Sequence, residues 1–305
     1  MWLLLAFLSA ALLGFYDVFK KKSLTGNALV PVLALNTVFC SLIFLPLIAG
    51  SATGLIPSAS AAYIPVCGWE THRYILLKSV IVLSSWALGY AGIKHLPLTI
   101  VGPVNATRPV MVLVGALLVF GERLNAWQWA GVALAAVSFF LLSHSGKREG
   151  VNFAHNKWIA CVVGAALLGA TSALYDKYLM APTAAGGAGL DKLAVQGWYN
   201  IYQMGMMGIV ALTVWYPRRR KGDRFRWSWA IPCISLFLSA ADFLYFYALS
   251  VPGAMISIVS MVRRSSVIVS FAFGALVLRE NNLRSKAVDL ALVLLGMICL
   301  AIGAL

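Results

Sequence analysis

The chain has 305 residues, of which 61% are hydrophobic and 11% charged, with a formal net charge of +14 and a mean hydropathy of +0.86. Soluble domains are usually about half apolar and about a quarter charged, so this composition excludes an ordinary soluble protein and predicts an integral membrane protein. Most basic residues stand in short segments between long apolar runs, where we expect them to contact membrane lipid and not nucleic acid.

Ten apolar segments follow one another along the chain, each long enough to cross a bilayer as a helix. They span residues 2–19, 28–50, 74–93, 97–120, 126–143, 158–180, 193–216, 228–249, 252–278 and 286–304. In the first segment the positive charge of Lys20, Lys21 and Lys22 follows the apolar run, whereas in a cleaved signal peptide it would precede it. We therefore predict a retained first helix and an all-α integral membrane protein with ten transmembrane helices.

A shift of 155 residues brings the two halves of the chain into register. It places the run from Ala11 to Gly14 on the identical run from Ala166 to Gly169. It also matches Lys22 with Lys177, Ser84 with Ser239, Tyr90 with Tyr245, Pro97 with Pro252 and Arg108 with Arg263. Because each half holds five helices, the second half enters the membrane from the opposite face, and such inverted repeats are common in secondary transporters. The predicted division is a first repeat at 1–146, a loop at 147–157 and a second repeat at 158–305.

The residues from His95 to Ser143 carry a family resemblance. They contain a proline after a short turn, an apolar helix, a Gly-Glu-Arg-Leu turn at 121–124 and a last helix that contains glycine. This pattern resembles the EamA-type repeat of the drug/metabolite transporter superfamily, and the second half resembles it through Pro252 and the turn from Glu280 to Leu283. The resemblance implies a ten-helix basket with a central cavity that carries small organic molecules by alternating access. Members of the superfamily carry amino acids, nucleotide sugars, sugar phosphates and drugs, so the resemblance selects no substrate.

The 24 Lys and Arg residues are divided unequally between the two predicted membrane faces. Three lie within predicted helices, and five lie on the face that holds both termini: Arg73, Lys78, Arg123, Lys177 and Lys192. The other sixteen lie on the opposite face. The positive-inside rule therefore places both termini outside the cytoplasm, although bacterial members of the superfamily more often keep them inside.

Three arginines fall well inside predicted helices: Arg108, Arg263 and Arg264. Each lies roughly eleven residues past the proline that begins its helix, which at about 1.5 Å per residue is about 16 Å into the membrane. An arginine at that depth costs about 2.5–3.5 kcal/mol, so it should face a cavity or a partner. Either these residues bind a carboxylate or phosphate, which suits the guanidinium fork, or they form internal ion pairs. Both interpretations remain open at this point.

Polar residues recur at helical spacing beside these arginines and on two further helices. With the arginines, they make up the candidate substrate-binding residues Arg108, Asn105, Arg263, Arg264, Ser260, Asn200, Gln203 and Tyr245. Such faces either line an aqueous cavity or hold helices together by hydrogen bonds. The sequence leaves both roles open.

Two aspartates are candidates for proton coupling, because an intramembrane carboxylate can take up and release a proton. Asp242 is the better placed, about fourteen residues into its predicted helix, although it could instead neutralise Arg263 or Arg264. Asp17 stands near the predicted end of its segment beside the lysines, a position that favours the membrane interface.

These features predict a secondary active transporter, either exporter or uptake carrier, of a small anionic or zwitterionic metabolite. We expect a multi-pass protein of the inner or plasma membrane that is not an enzyme, has no catalytic residue, metal or cofactor, and is a monomer or a homodimer. The chain lacks a GxxxxGK[ST] phosphate loop, which argues against a cycle driven directly by ATP. The alternatives are a membrane enzyme acting on a lipid-linked substrate, a channel and a sensor.

Overall fold

The structure is a computed structural model, and the part of the chain that it describes is helical and irregular, without strands. It describes residues 2–108, 110–112, 114–115, 125–127, 129–131, 133–134, 137, 141, 156–180, 183, 186–219, 224–250, 259, 262–263, 265–276 and 283–304. The helices are α1 (Trp2–Leu24), α2 (Leu29–Ala52), α3 (Trp69–His95), α4 (Leu98–Ala106), α5 (Lys157–Met180), α6 (Lys192–Val210), α7 (Ala230–Ser250), α8 (Ser266–Leu276) and α9 (Leu283–Ala304).

Within the described ranges, five helices are long and apolar enough to cross a membrane. These candidate spans are Leu3–Leu24, Leu29–Ala52, Trp69–His95, Lys157–Met180 and Ala230–Ala248. The all-helical class and the multi-pass membrane character predicted from composition are therefore confirmed. The count of ten helices and their inverted order remain predictions, because much of 109–155 and 251–282 lies outside the described residues.

Two helices extend beyond the apolar segments that predicted them. α1 continues to Leu24 instead of ending near residue 19, and α3 begins at Trp69 instead of residue 74. Hydropathy detects only the apolar part of a helix, and both extensions are rich in polar and charged side chains. As a consequence Lys20, which the sequence placed at a membrane face, lies within α1 and is buried. Lys78, which the sequence also placed at a membrane face, is buried on α3.

Helices from the first half of the chain pack mainly against helices from the second half. The most extensive contacts join α1 to α7 and α3 to α5, while α2 packs on α6 and α4 packs on α8. The core lies where these pairs meet, and its fully buried side chains include Leu33, Tyr90, Ile93 and Ile231. The cavity described below therefore lies between residues of both halves.

Two glycines matched by the 155-residue shift both lie at close helix contacts. A Cβ atom on Gly14 of α1 would come within 2.4 Å of the Cβ atom of Val269 and 3.0 Å of the carbonyl oxygen of Ser266, both on α8. A Cβ atom on Gly169 of α5 would lie 2.6 Å from Cζ of Arg108, which follows α4. In each half, the absence of a side chain at this glycine of the first helix allows a close contact with the other half.

Candidate functional site

A cavity of about 180 Å³ lies between α1, α3, α4, α5, α7 and α8, with one residue from α6. Its charged lining residues are Asp17, Lys20, Lys78, Arg108, Asp176, Asp242 and Arg263. Charged side chains are costly inside a membrane protein unless they are paired or face water, so this concentration marks the cavity as the candidate functional site.

The structure brings six of the ten predicted site residues to this cavity. They are Asp17, Asn105, Arg108, Asp242, Tyr245 and Arg263. Ser260 and Arg264 lie outside the described residues. Asn200 and Gln203 are buried on α6, but they are absent from the cavity lining.

Arg263 forms a buried ion pair with Asp242 at one side of the cavity. Its Nη2 atom donates to Oδ1 of Asp242, and its Nε atom donates to the Ser9 hydroxyl at 3.2 Å. The hydroxyl of Tyr199 donates to the other oxygen of Asp242 at 3.0 Å. The carboxylate of Asp242 therefore accepts from one charged donor, Arg263 in the residues before α8, and from one neutral donor, Tyr199 on α6. This contact matches the internal pairing that the sequence left open for Asp242.

Two further ion pairs neutralise the remaining carboxylates of the cavity. Lys78 on α3 pairs with Asp176 on α5, and its side chain is 3% exposed. On α1, Nζ of Lys20 lies 2.8 Å from Oδ1 of Asp17. Asp17 thus lines the cavity, and α1 continues past it for a further two turns.

Arg108 differs from the other three cations because it has no carboxylate partner among the described residues. Its Nη2 atom donates to the carbonyl oxygen of Ala165 at 3.2 Å, and its Nε atom is buried without an acceptor. The guanidinium lies against Gly169, where a Cβ atom would approach its Nη1 atom to 2.7 Å. A guanidinium carries five N–H donors in a planar fork that matches a carboxylate or phosphate. Among its described residues the cavity therefore holds, in Arg108, a cation that has free donor capacity and no carboxylate partner.

The chain has recognisable relatives among membrane transporters. Residues 1–144 match the sequence profile of the EamA-like transporter family. A protein of Sinorhizobium sp. named as an uncharacterized transporter in the cobO 3′ region is 31% identical over 151 residues, which cover 47% of this chain and 96% of that protein. The chain belongs to the EamA-like transporter family. It is accordingly a membrane transporter of the drug/metabolite transporter superfamily, as its sequence motifs predicted.

A protein of known crystal structure shares the fold of this EamA-like transporter. The two superpose with a TM-score of 0.64 and 13% sequence identity, over 98% of this chain and 97% of the other. At that level of identity the likeness concerns the fold alone.

Sequence reasoning missed several cavity residues of this EamA-like transporter. Lys20 and Lys78 were assigned to membrane faces, and Tyr199 was not singled out. Extending each span over the polar residues that flank its apolar segment would have moved Lys20 into a helix, whereas Lys78 already lay within the segment 74–93. The pairing of Asp176 with Lys78 depends on the contact between α3 and α5.

Asn200 belongs to a polar cluster between α2, α6 and α7, whereas the buried side-chain amide of Gln203 has no hydrogen-bond partner among the described residues. The Asn200 amide donates to the carbonyl oxygen of Gln196 at 2.9 Å, and the Ser41 hydroxyl donates to the carbonyl oxygen of Asn200 at 2.8 Å. On α7, the Ser235 hydroxyl donates to Oδ1 of Asn36 at 2.9 Å. The bonds of Ser41 and Ser235 join α2 to α6 and to α7, which is the second role that the sequence allowed for its polar faces. A role of Asn200 and Gln203 in substrate binding remains a prediction.

Proposed function

We propose that this EamA-like transporter is a secondary active carrier of a small anionic or zwitterionic metabolite, which it binds at Arg108. The observation that supports this proposal is the buried guanidinium of Arg108, which faces the cavity without a carboxylate partner among the described residues. Asn105 lies one helical turn before it, and Tyr245 and Arg263 line the same cavity. Ser260, Arg264, Asn200 and Gln203 complete the set of proposed substrate-binding residues.

Alternating access between two inverted five-helix repeats is the proposed mechanism. The proposed repeats are 1–146 and 158–305, joined by the loop 147–157. Two hydrogen bonds support this arrangement: Arg108 bonds to α5 at Ala165, and Arg263 bonds to α1 at Ser9. The 155-residue shift relates the two arginines and brings Ser9 to the residue before Ala165. The Sinorhizobium relative is about half as long as this chain, which is consistent with a chain formed by duplication of one such unit.

Ion pairs between the halves provide the contacts that rocking of one repeat against the other would change. Lys78 belongs to the first repeat and its partner Asp176 to the second. The pair closes one part of the cavity lining between α3 and α5. In the proposed cycle this pair separates and re-forms as the cavity is exposed to alternate sides of the membrane.

Proton coupling at Asp242, with Asp17 as a second candidate, follows from the charges of the cavity. Protonation of Asp242 would remove one negative charge and leave the charge of Arg263 available to the substrate. Anion binding and proton binding would then favour each other, because linkage between two ligands is reciprocal. Replacing Asp242 by Asn should therefore make anion flux independent of an imposed pH gradient, in liposomes that contain the purified protein.

The test of the proposed function is Arg108-dependent flux. Purified protein is screened by thermal shift against small carboxylates and phosphates, since ligands that bind the folded state raise its apparent stability. The compound with the largest shift is then followed into liposomes in radiolabelled form. Arg108→Gln should abolish its flux, while Arg73→Gln should not, because Arg73 is exposed and pairs with Glu70 outside the cavity. Unchanged flux in the Arg108 variant would refute the anion site.

We further propose an inner or plasma membrane location with both termini outside the cytoplasm. The support is the excess of Lys and Arg on the face opposite the termini. A reporter that is active only in the cytoplasm, fused after Leu305, should be inactive. Activity of that fusion would establish the reverse orientation.

A further inference from the structure

The charges of the described residues that line the cavity balance except at one position. Among the described lining residues there are four cations, Lys20, Lys78, Arg108 and Arg263, and three carboxylates, Asp17, Asp176 and Asp242. Each carboxylate is paired with its own cation. Arg108 supplies the one positive charge that remains, and it is a buried guanidinium with an unused Nε donor.

The carboxylates therefore offer little to a substrate ammonium group. An ammonium that displaced Lys20, Lys78 or Arg263 from its carboxylate would leave a protein cation unpaired in the membrane interior. Breaking a buried pair in this way is costly, because the remaining charge has lost both water and its partner.

The tyrosine rings of the cavity are occupied as well. Aromatic faces can bind an ammonium group through cation–π contacts. Nζ of Lys20 lies 4.1 Å from the ring centroid of Tyr16 and 5.2 Å from that of Tyr90. Nζ of Lys78 lies 5.2 Å from the centroid of Tyr199, and the guanidinium of Arg263 lies 4.3 Å from that of Tyr245. All four tyrosines of the described lining already face a cation of the protein.

The described lining of the cavity also contains apolar side chains, beside the hydroxyl groups of Ser85, Ser172 and Ser266. It includes Leu13, Val82, Trp86, Val112, Leu238 and Phe246. An apolar body is favoured in such a space because its transfer from water is favourable. Additional charges on a substrate would find no counter-ion there.

We propose that the cavity selects monoanions with an apolar body, and discriminates against both zwitterions and dianions. This inference rests on the proposed function, since it specifies the substrate class of the Arg108 site. A single carboxylate would accept the paired N–H donors of Arg108, restoring overall neutrality to the cavity. The apolar body would lie against Trp86 and Phe246.

Three compounds that share a phenyl group test this selection on purified full-length protein. They are 3-phenylpropionate, phenylalanine, which adds one ammonium group to it, and phenylsuccinate, which is a dianion at neutral pH. Calorimetric titration should show 3-phenylpropionate binding at least tenfold more tightly than either of the others. The Arg108→Gln variant should lose 3-phenylpropionate binding, and Arg73→Gln should keep it.

Each other outcome contradicts the inference in a distinguishable way. Binding of phenylalanine or phenylsuccinate as tight as that of 3-phenylpropionate, and dependent on Arg108, overturns monoanion selection but leaves the proposed anion site in place. Failure of all three compounds to bind the unmodified protein overturns monoanion selection; the anion site then stands or falls with the Arg108-dependent flux of the compound found by thermal shift. Binding that is unchanged in Arg108→Gln overturns both proposals.

A change in cavity charge supplies an independent test. Asp242→Asn removes one negative charge and leaves Arg263 without its carboxylate, so the cavity gains a second unbalanced cation. In this variant the preference should reverse by at least tenfold toward phenylsuccinate. A monodisperse gel-filtration profile is the control for folding, and an unchanged preference in the folded variant contradicts the charge balance argued above.

Discussion

Arg108 and Arg263 occupy matching positions in the two halves of the chain, but they have different surroundings. Both line the cavity, and each bonds to the first helix of the other half, Arg108 at Ala165 of α5 and Arg263 at Ser9 of α1. The proposed internal repeat predicts this similarity of contacts. The two arginines differ in what neutralises them.

Only Arg263 has a carboxylate partner among the described residues. Asp242 supplies it from α7. The 155-residue shift leads from Asp242 to Ala87 on α3, and the adjacent cavity residue is Trp86, so neither position carries an acid. The comparison teaches that one acid, present in a single half, pairs with one of two similar arginines and leaves the other without a carboxylate partner among the described residues.

A substitution that places an acidic side chain beside Arg108 should remove this difference. Of the changes considered, we expect it to have the largest effect on binding. Asn105 lies three residues before Arg108 and lines the same cavity, so Asn105→Asp places a carboxylate within reach at almost unchanged volume. Binding of 3-phenylpropionate should weaken about a hundredfold, because the substrate must compete with an internal partner. Calorimetric titration measures the loss.

The matched control is Asn105→Ser, which alters the same side chain without adding charge. It should bind the probe more tightly than the Asp variant does. Equal affinities in these two variants would show that the amide itself, and not the free charge of Arg108, determines binding.

Removing Arg263 should affect the free energy of unfolding more than Arg108→Gln does. Arg263→Gln leaves Asp242 buried with Tyr199 as its remaining partner, and an unpaired buried charge of this kind costs about 3 kcal/mol. Thermal unfolding in detergent should reveal a marked decrease in the midpoint. The double variant Arg263→Gln with Asp242→Asn should recover most of it, since both charges are then absent. A double variant as unstable as the single one contradicts the ion-pair explanation.

The internal match of the sequence predicts that Arg108 and Arg263 are equivalent in position, but it does not predict that they differ in having a carboxylate partner. Hydropathy located the five candidate spans that the structure describes, and the 155-residue shift predicted equivalent depths for Arg108 and Arg263. The sequence also named Asp242 as a possible partner of Arg263. Which arginine stays free depends on side-chain contacts between helices far apart in the chain, and no spacing rule specifies them.

The lysines show where sequence reasoning fails in physical terms. A lysine near the end of an apolar run normally extends toward the membrane surface, so Lys20 and Lys78 were interpreted as surface charges. In the structure both are buried, because Asp17 and Asp176 compensate their charge inside the protein. A helix can keep a lysine buried when the same helix or a neighbouring one supplies an acid. For Lys78 that acid comes from α5, and the local sequence does not show that α3 contacts α5.

Displacing the Arg108 guanidinium without changing its charge should have a smaller effect. Gly169→Ala would place a methyl group where the guanidinium now lies, and that flexible side chain can move away at little cost to the fold. Affinity for 3-phenylpropionate should decrease roughly tenfold, because the charge remains but its donors are no longer aligned. Gly164→Ala on the same helix faces Leu88 and not an arginine, so it should leave affinity unchanged. Equal losses in the two variants would assign the effect to helix packing.

The smallest expected effect concerns the hydrogen bonds that hold Arg263 to the first helix. Ser9 accepts from Nε of Arg263 and donates to the carbonyl oxygen of Ala241 at 2.7 Å, thereby joining α1 to α7. Ser9→Ala should lower the free energy of unfolding by only about 0.6 kcal/mol, the average for such bonds in membranes. Probe binding should not change, because Arg263 keeps Asp242. If Ser9→Ala instead weakened anion binding tenfold, Arg263 would have to contact the ligand directly. The inference that Arg108 binds the probe while Arg263 stays paired with Asp242 would then be wrong.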